Sequence, residues 1–390
     1  VVASAANASL VRPDKRGIEP RLALSWRPSL GSSVVVRAGY GAYRNLGGYE
    51  SLALLLAQQP PFSRTFSVQN STSTPLTLAN PFPSTLPGTT NTFAIDPTFR
   101  AATSHTWQVS AQRELPALLT ATAAYTGTKG QGLMQAFLPN TYPAGAVDPC
   151  PSCPTGFVYL TSTGSSLRNA VQFTLRRRLH NGLTATAQYT LAKSTDAAAS
   201  FTSKNITIQS LSIAQNWRDL GAERGSSVFD QRHLFTAQFQ YTTGMGVAGG
   251  TLQEGSLAAW LHDWTFTSQL VAGSGLPLTP ILFTTVEGTG VVGVRPSIAG
   301  GTYTAPAPGT WGNAGRNSIR GPRQFTLDAT VTRAIPLHGR LNLEWRLAAT
   351  NVLNRVTFAT IDTVVTSPQF GLPTRANPMR ALQMALRLRR

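Results

Sequence analysis

The 390 residues carry a formal net charge of +17, yet charged side chains make up only 13% of the chain, against roughly a quarter in typical soluble domains. Mean hydropathy is −0.06, and the longest aliphatic run, Leu52 to Ala57, falls far short of the roughly 18 apolar residues of a membrane helix. Helical membrane spans are excluded, so a chain of this kind crosses a bilayer only with strands, whose backbone groups must then be paired in a closed barrel.

Alternation of apolar and polar residues predicts eleven strands. In chain order they are approximately Arg21–Pro28, Ser33–Tyr43, His105–Glu114, Leu118–Thr126, Arg168–Leu179, Leu183–Ala192, Gln231–Tyr241, Trp264–Ala272, Gln324–Ile335, Arg340–Thr350 and Arg380–Arg390. The cleanest is Leu183 to Leu191. Ala185, Ala187 and Tyr189 fall on its apolar face, and Thr184, Thr186 and Gln188 on its polar one. Its length, about nine residues, suits a tilted strand crossing a bilayer.

The connections alternate in length. Ser29–Ser32, Leu115–Ala117, His180–Gly182 and Pro336–Gly339 are tight, and Asn181-Gly182 is a strong hairpin signal. Residues 44–104, 127–167, 193–230, 273–323 and 351–379 are long and rich in Gly, Pro, Ser, Thr and Asn. The intermediate link from Thr242 to Asp263 belongs to the short side by alternation. Loops this long argue against a compact soluble domain. The expected fold is therefore all-β: a transmembrane antiparallel β-barrel with short periplasmic turns, long external loops and its last residues in the periplasm.

Side-chain placement agrees with that orientation. Tyr125 and Tyr189 lie on apolar faces near outer strand ends, and Tyr241 and Trp264 near inner ends, as two aromatic belts require. Arg113, Arg177, Arg333 and Arg390 fall on the lipid-facing parity close to the periplasmic end, where a guanidinium reaches lipid phosphate. The inward parity collects Arg21, Arg27, Arg37, Arg168, Arg176, Arg178, Arg232, Arg346, Arg387 and Arg389 against Glu114, Asp328 and Glu344. A basic lumen wall is expected, serving either an anionic cargo or the acidic groups of a plug.

Other chemistries find little support. Cys150 and Cys153 sit in a Pro-rich stretch without further Cys or neighbouring His, which predicts a small loop disulfide and neither a zinc site nor a redox pair. No Gly-X-Ser-X-Gly elbow, His-Glu-X-X-His or phosphate loop occurs, so no enzyme and no cofactor are expected. Asp219 and Glu223, with Arg218 and Arg224 alongside, read as a solvated, charge-paired loop. Arginine is spread through strands and loops with no recognition module, which argues against nucleic acid. Val1 to Leu10 lacks a signal-peptide pattern, so the residues read as a mature chain or a fragment.

Several stretches resemble a family, the TonB-dependent receptors of the outer membrane, and specifically the large Oar-like group with a carboxypeptidase-regulatory-like N-terminal domain. They are Trp107–Pro116 followed by Ala124–Gly130, Tyr189–Ser194, Phe229–His233, Ile319–Pro322 and Thr350–Asn354. The resemblance implies a barrel of about 22 strands with a plugged lumen, of which eleven strands are half. It thus implies the C-terminal half of the barrel over residues 1–390, without plug, TonB-contacting segment or N-terminal domain. The partners implied are outer-membrane lipid, the remainder of the receptor, TonB and an unnamed nutrient. Such barrels usually finish on an aromatic residue, whereas this chain finishes Leu386-Arg387-Leu388-Arg389-Arg390. The expected function is energised uptake at the outer membrane. The alternatives are a structural or adhesive Oar-like protein without transport, and a diffusion porin.

Overall fold

The computed structural model describes residues 17–29, 31–46, 48–57, 93–153, 157–197, 213–245, 258–285, 292–337 and 341–389. Leu30, His338, Gly339, Arg340 and Arg390, which the sequence places in turns or at strand ends, lie outside the described residues.

Eleven strands form one antiparallel meander. They are β1 (Arg21–Trp26), β2 (Val35–Asn45), β3 (Ala102–Leu115), β4 (Leu119–Phe137), β5 (Val158–His180), β6 (Leu183–Ala197), β7 (His233–Thr242), β8 (Trp264–Gly273), β9 (Gln324–Pro336), β10 (Asn342–Thr350) and β11 (Ala381–Arg389). Each pairs with the next, and β1 and β11 are the two ends of the sheet. In the β5–β6 hairpin Asn181 and Gly182 take φ of 49° and 76°, the left-handed pair of a type I′ turn. A side chain at Gly182 would strike the Thr242 carbonyl, so only glycine fits there.

Register separates the two faces throughout. Thr184, Thr186, Gln188 and Thr190 stand opposite Gln240, Gln238, Thr236 and Leu234. The same face continues through Thr267, Gln269, Asp328 and Thr330. The other face is apolar and uncovered: Leu22, Leu24, Val109, Phe173, Phe239 and Leu386 on it are between 43% and 72% exposed. An exposed apolar surface spanning a whole sheet calls for lipid. The carboxylates of the eleven strands, Glu114, Asp196, Asp328 and Glu344, all share the register positions of the polar face.

The register also locates a membrane plane. From Arg113 the partners run through Ala121, Leu175, Ala187, Ala237 and Leu270 to Leu327. Arg177 lies two residues nearer the turns than Leu175, two strands beyond β3. Arg333 lies six residues nearer than Leu327, six strands beyond β3. Both give one residue per strand, which at about 3.3 Å per residue and 4.8 Å between strands is a tilt of about 35°. A second line runs parallel to it. His105 partners lead through Lys129 and Leu167 to Thr195, and His233 stands opposite Leu191, four residues nearer the turns and four strands beyond β3. On β3 the two lines are eight residues apart, His105 to Arg113, or about 22 Å along the membrane normal, close to the apolar band of about 25 Å in such barrels. Polar and cationic side chains thus mark both rims.

Aromatic rings reinforce the rims. At the turn side Trp264 meets Trp345 edge-on at 5.6 Å, and the Arg333 guanidinium stands 5.3 Å from the Trp264 ring. At the loop side the Tyr125 hydroxyl donates to Asn169 Oδ1 at 2.8 Å. The Trp107 indole covers Gly127 so closely that any side chain there would collide with it.

The strands reach further than alternation shows. β4 continues to Phe137 and β5 begins at Val158, so much of the expected loop 127–167 is strand. Regular register continues five residues past the predicted strand end at Thr126, and shifts after Gln131 and Leu133 then break the two-residue period. Beyond the break, Ala136, Leu138, Val158 and Leu160 bury against Phe93, Ile95, Phe99 and Leu52 and Leu55 of helix α1 (Gly48–Ala57). This is a small extramembrane core on top of the sheet. There the Tyr159 hydroxyl is pushed above its ordinary value by burial and then by the Asp96 carboxylate.

Candidate functional site

The polar face forms a broad wall. Its central hollow, about 310 Å³, is bordered by Thr186, Gln238, Gln240, Thr267, Gln269 and Asp328. Arg37, Arg168, Arg176 and Arg346 occupy the same face, opposite Ser110, Thr128, Thr120 and Thr332 respectively. Arg178 joins them past the irregularity at Arg177 and His180 by donating to Glu114 at 2.5 Å. Both partners of that pair are more than half exposed, so it adds little stability. Arg37 donates to Gln112 Oε1 at 3.1 Å. Arg232 stands one residue before β7, in step with Leu234 and Thr236. A second hollow of about 150 Å³ is lined by Glu344, Arg346, Gln383 and Arg387, with Glu344 and Arg387 directly opposed. The wall can therefore offer guanidinium forks, amides and hydroxyls to a ligand or to a plug.

At the loop edge the same face is roofed by ion pairs whose carboxylates are all buried. Arg316 is bonded to the Asp196 carboxylate and donates from Nε to the Glu223 carbonyl at 3.0 Å. Arg295 donates to Glu223 Oε2 at 2.7 Å, while Glu223 Oε1 accepts the Gln215 N–H at 2.9 Å. Arg320 donates to Asp230 Oδ2 at 2.6 Å, and Asp230 Oδ1 accepts the Ser194 N–H at 2.6 Å. These contacts lock the loop after β6 to the loop after β8. Gly225 lets the backbones close, because a side chain there would meet the Arg316 carbonyl.

The reading of Asp219 and Glu223 is corrected accordingly. Glu223 is buried, with 1% of its side chain exposed, and its partner is Arg295. Asp219 instead caps the short 3-10 turn by accepting the Ala222 N–H at 3.2 Å. Arg218 lies over the Trp217 ring, and Arg224 is exposed. Sequence reasoning missed Asp196, Arg295 and Arg316 altogether. Cys150 and Cys153 are joined as a disulfide with Cα atoms 5.3 Å apart, in a loop where Asp148 accepts the Cys150 N–H. Among the described residues no three His, Cys, Asp or Glu side chains are placed to hold a metal ion.

A family model described as outer membrane beta barrel domain matches residues 1–383. The chain belongs to that family. This barrel domain sits in the outer membrane of a Gram-negative-type cell, its apolar face toward lipid. No curated protein matches it in sequence. Among solved structures it is similar to the outer membrane transporter YddB from Escherichia coli, at 12% identity and a TM-score of 0.52, covering 95% of this chain and 40% of that one. A mutant of the ferric enterobactin receptor PfeA from Pseudomonas aeruginosa follows at 12% identity and a TM-score of 0.47, over 94% of this chain and 39% of that one. The FrpB iron transporter from Neisseria meningitidis matches at 11% identity and a TM-score of 0.45, over 95% and 38%. The barrel domain thus spans about two fifths of the length of the transporters it matches.

Proposed function

We propose that the barrel domain is part of a plugged, TonB-energised receptor of the Oar-like group that takes up an anionic nutrient, with further strands completing the barrel. The single observation that carries the cargo class is the charge of the polar face. Arg37, Arg168, Arg176, Arg178, Arg346 and Arg387 lie on it among uncharged Thr, Ser and Gln, against the strand carboxylates Glu114, Asp328 and Glu344, while Asp196 is taken up by Arg316 in the roof. Such a wall raises the local concentration of anions. Among the described residues the outer edges of β1 and β11 have no partner strand, which supports completion by other strands. The ion-paired roof supports a receptor over an open diffusion pore.

In the full-length receptor, replacing Arg176 and Arg178 by Gln is expected to lower uptake of an anionic metal chelate several-fold. The loss should shrink at high salt, with the folded fraction unchanged. If the arginines instead hold a plug, the same change raises leakage of neutral and charged solutes alike. Unchanged uptake and unchanged leakage would contradict both roles.

A further inference from the structure

We propose that the loop-side rim of the lipid-facing surface is a binding site for the headgroup of a lipid carrying two or more phosphates. Its core is His105, Lys129, Lys193 and His233. The inference rests on which face meets lipid, and not on what the barrel carries.

Four observations bring it. His105 and Lys129 are direct cross-strand partners on β3 and β4. Lys193 stands opposite Asn169 on β5, and both lysines are exposed. The line from His105 to His233 descends one residue per strand, parallel to the turn-side arginines, so these groups share one depth at the edge of the apolar band. No carboxylate of the eleven strands lies on this face, so no strand carboxylate competes there for the ammonium groups.

The imidazoles are held in place. Tyr40 bonds His105 Nδ1 at 2.8 Å and Tyr189 bonds His233 Nδ1 at 2.7 Å. The two pairs repeat one geometry, with centroids 6.2 Å apart and ring planes at 26° and 27°. With Nδ1 engaged, Nε2 is the nitrogen left to face a ligand. Further along the same rim the Arg355 guanidinium lies 5.1 Å from the ring of Phe325.

The two rims differ in a way that selects the partner. On the turn side, Arg113, Arg177 and Arg333 are three donors spread over the seven strands β3 to β9, a density that suits single phosphodiesters. On the loop side, donors sit on four of the five consecutive strands β3 to β7, with Asn169 on the fifth. Clustered donors suit a headgroup with several phosphates, and long loops mark the outer leaflet.

The test uses the full-length protein in detergent, with bound lipid read by native mass spectrometry. The probes are bisphosphorylated lipid A, phosphatidylglycerol and inorganic phosphate. Lys129→Gln with Lys193→Gln is expected to weaken lipid A binding about tenfold, while Lys→Arg at both positions restores it. Arg113→Gln, on the other rim, is expected to leave it unchanged. Phosphatidylglycerol and inorganic phosphate, at equal phosphate, should fail to displace lipid A. Equal binding by the Gln variant, equal loss with Arg113→Gln, or displacement by either competitor overturns the proposal. So does loss of binding that the Lys→Arg variant does not recover.

Discussion

Arginine in place of Ala187 is expected to remove the barrel domain from the membrane, whereas arginine in place of Gln188, one residue on, leaves it folded. Ala187 lies between Leu175 and Ala237 on the lipid-facing side. It sits well inside the band between the two polar rims. A guanidinium near mid-bilayer costs about 2–4 kcal/mol in a barrel, and substitutions on the lumen side cost much less. Gln188 stands between Thr174 and Thr236 on the polar wall, where a long cation remains solvated. Folded fraction in lipid vesicles, followed by urea titration, should separate the variants by that amount. Equal loss at both positions would mean that the two faces are not distinguished as described.

The second large effect is expected in the roof. Replacing Arg316 by Met leaves the buried Asp196 carboxylate without its partner and removes the donor to the Glu223 carbonyl. Stranding a buried charge in this way costs about 3–5 kcal/mol. The cost falls on the loops after β6 and β8, so the expected result is local opening, with proteolysis and amide exchange rising there while the strands stay protected. Adding Asp196→Asn to Arg316→Met should recover much of the loss, because the stranded charge is then gone. A single variant as resistant to protease as the parent would show that the ion pairs do not hold the roof.

The strands were legible because each membrane-spanning segment has one lipid-facing and one polar side, which writes a two-residue period into the sequence. Ala185, Ala187 and Tyr189 against Thr184, Thr186 and Gln188 is that period with nothing to disturb it. It fades past Thr126 and before Arg168, first because Gly127, Lys129 and Asn169 put small and polar residues on the lipid-facing parity at the rim, and beyond Gln131 because bulges shift the register and the strands pack on the extramembrane core instead of lipid. The roof was illegible for a different reason. Arg316 and Asp196 are 120 residues apart and Arg295 and Glu223 72 apart, so no local pattern links them.

Some of its parts were nevertheless visible as family-like stretches. Ser194, Asp230 and Arg320 come from three of them and meet in one bonded cluster. Asn351 and Asn354, from a fourth, adopt left-handed φ of 47° and 50° and close the turn after β10. Trp107 and Gly127, from a fifth, lock β3 to β4. Those stretches read as the joints of the scaffold. In the proposed receptor the cargo is selected by the wall between them, where Thr, Gln and Arg alternate without a local signature.

The facing of the strands decides which side chains meet lipid and which line the wall, and a cysteine scan tests it most directly. With Cys150 and Cys153 replaced by Ser, single cysteines from Leu183 to Leu191 are spin-labelled in bilayers and exposed in turn to oxygen, which concentrates in lipid, and to a water-soluble nickel chelate. The predicted result is a two-residue period, with oxygen contact highest at 185, 187 and 189 and chelate contact highest at 184, 186 and 188. The reverse phase, or no period at all, would contradict the account.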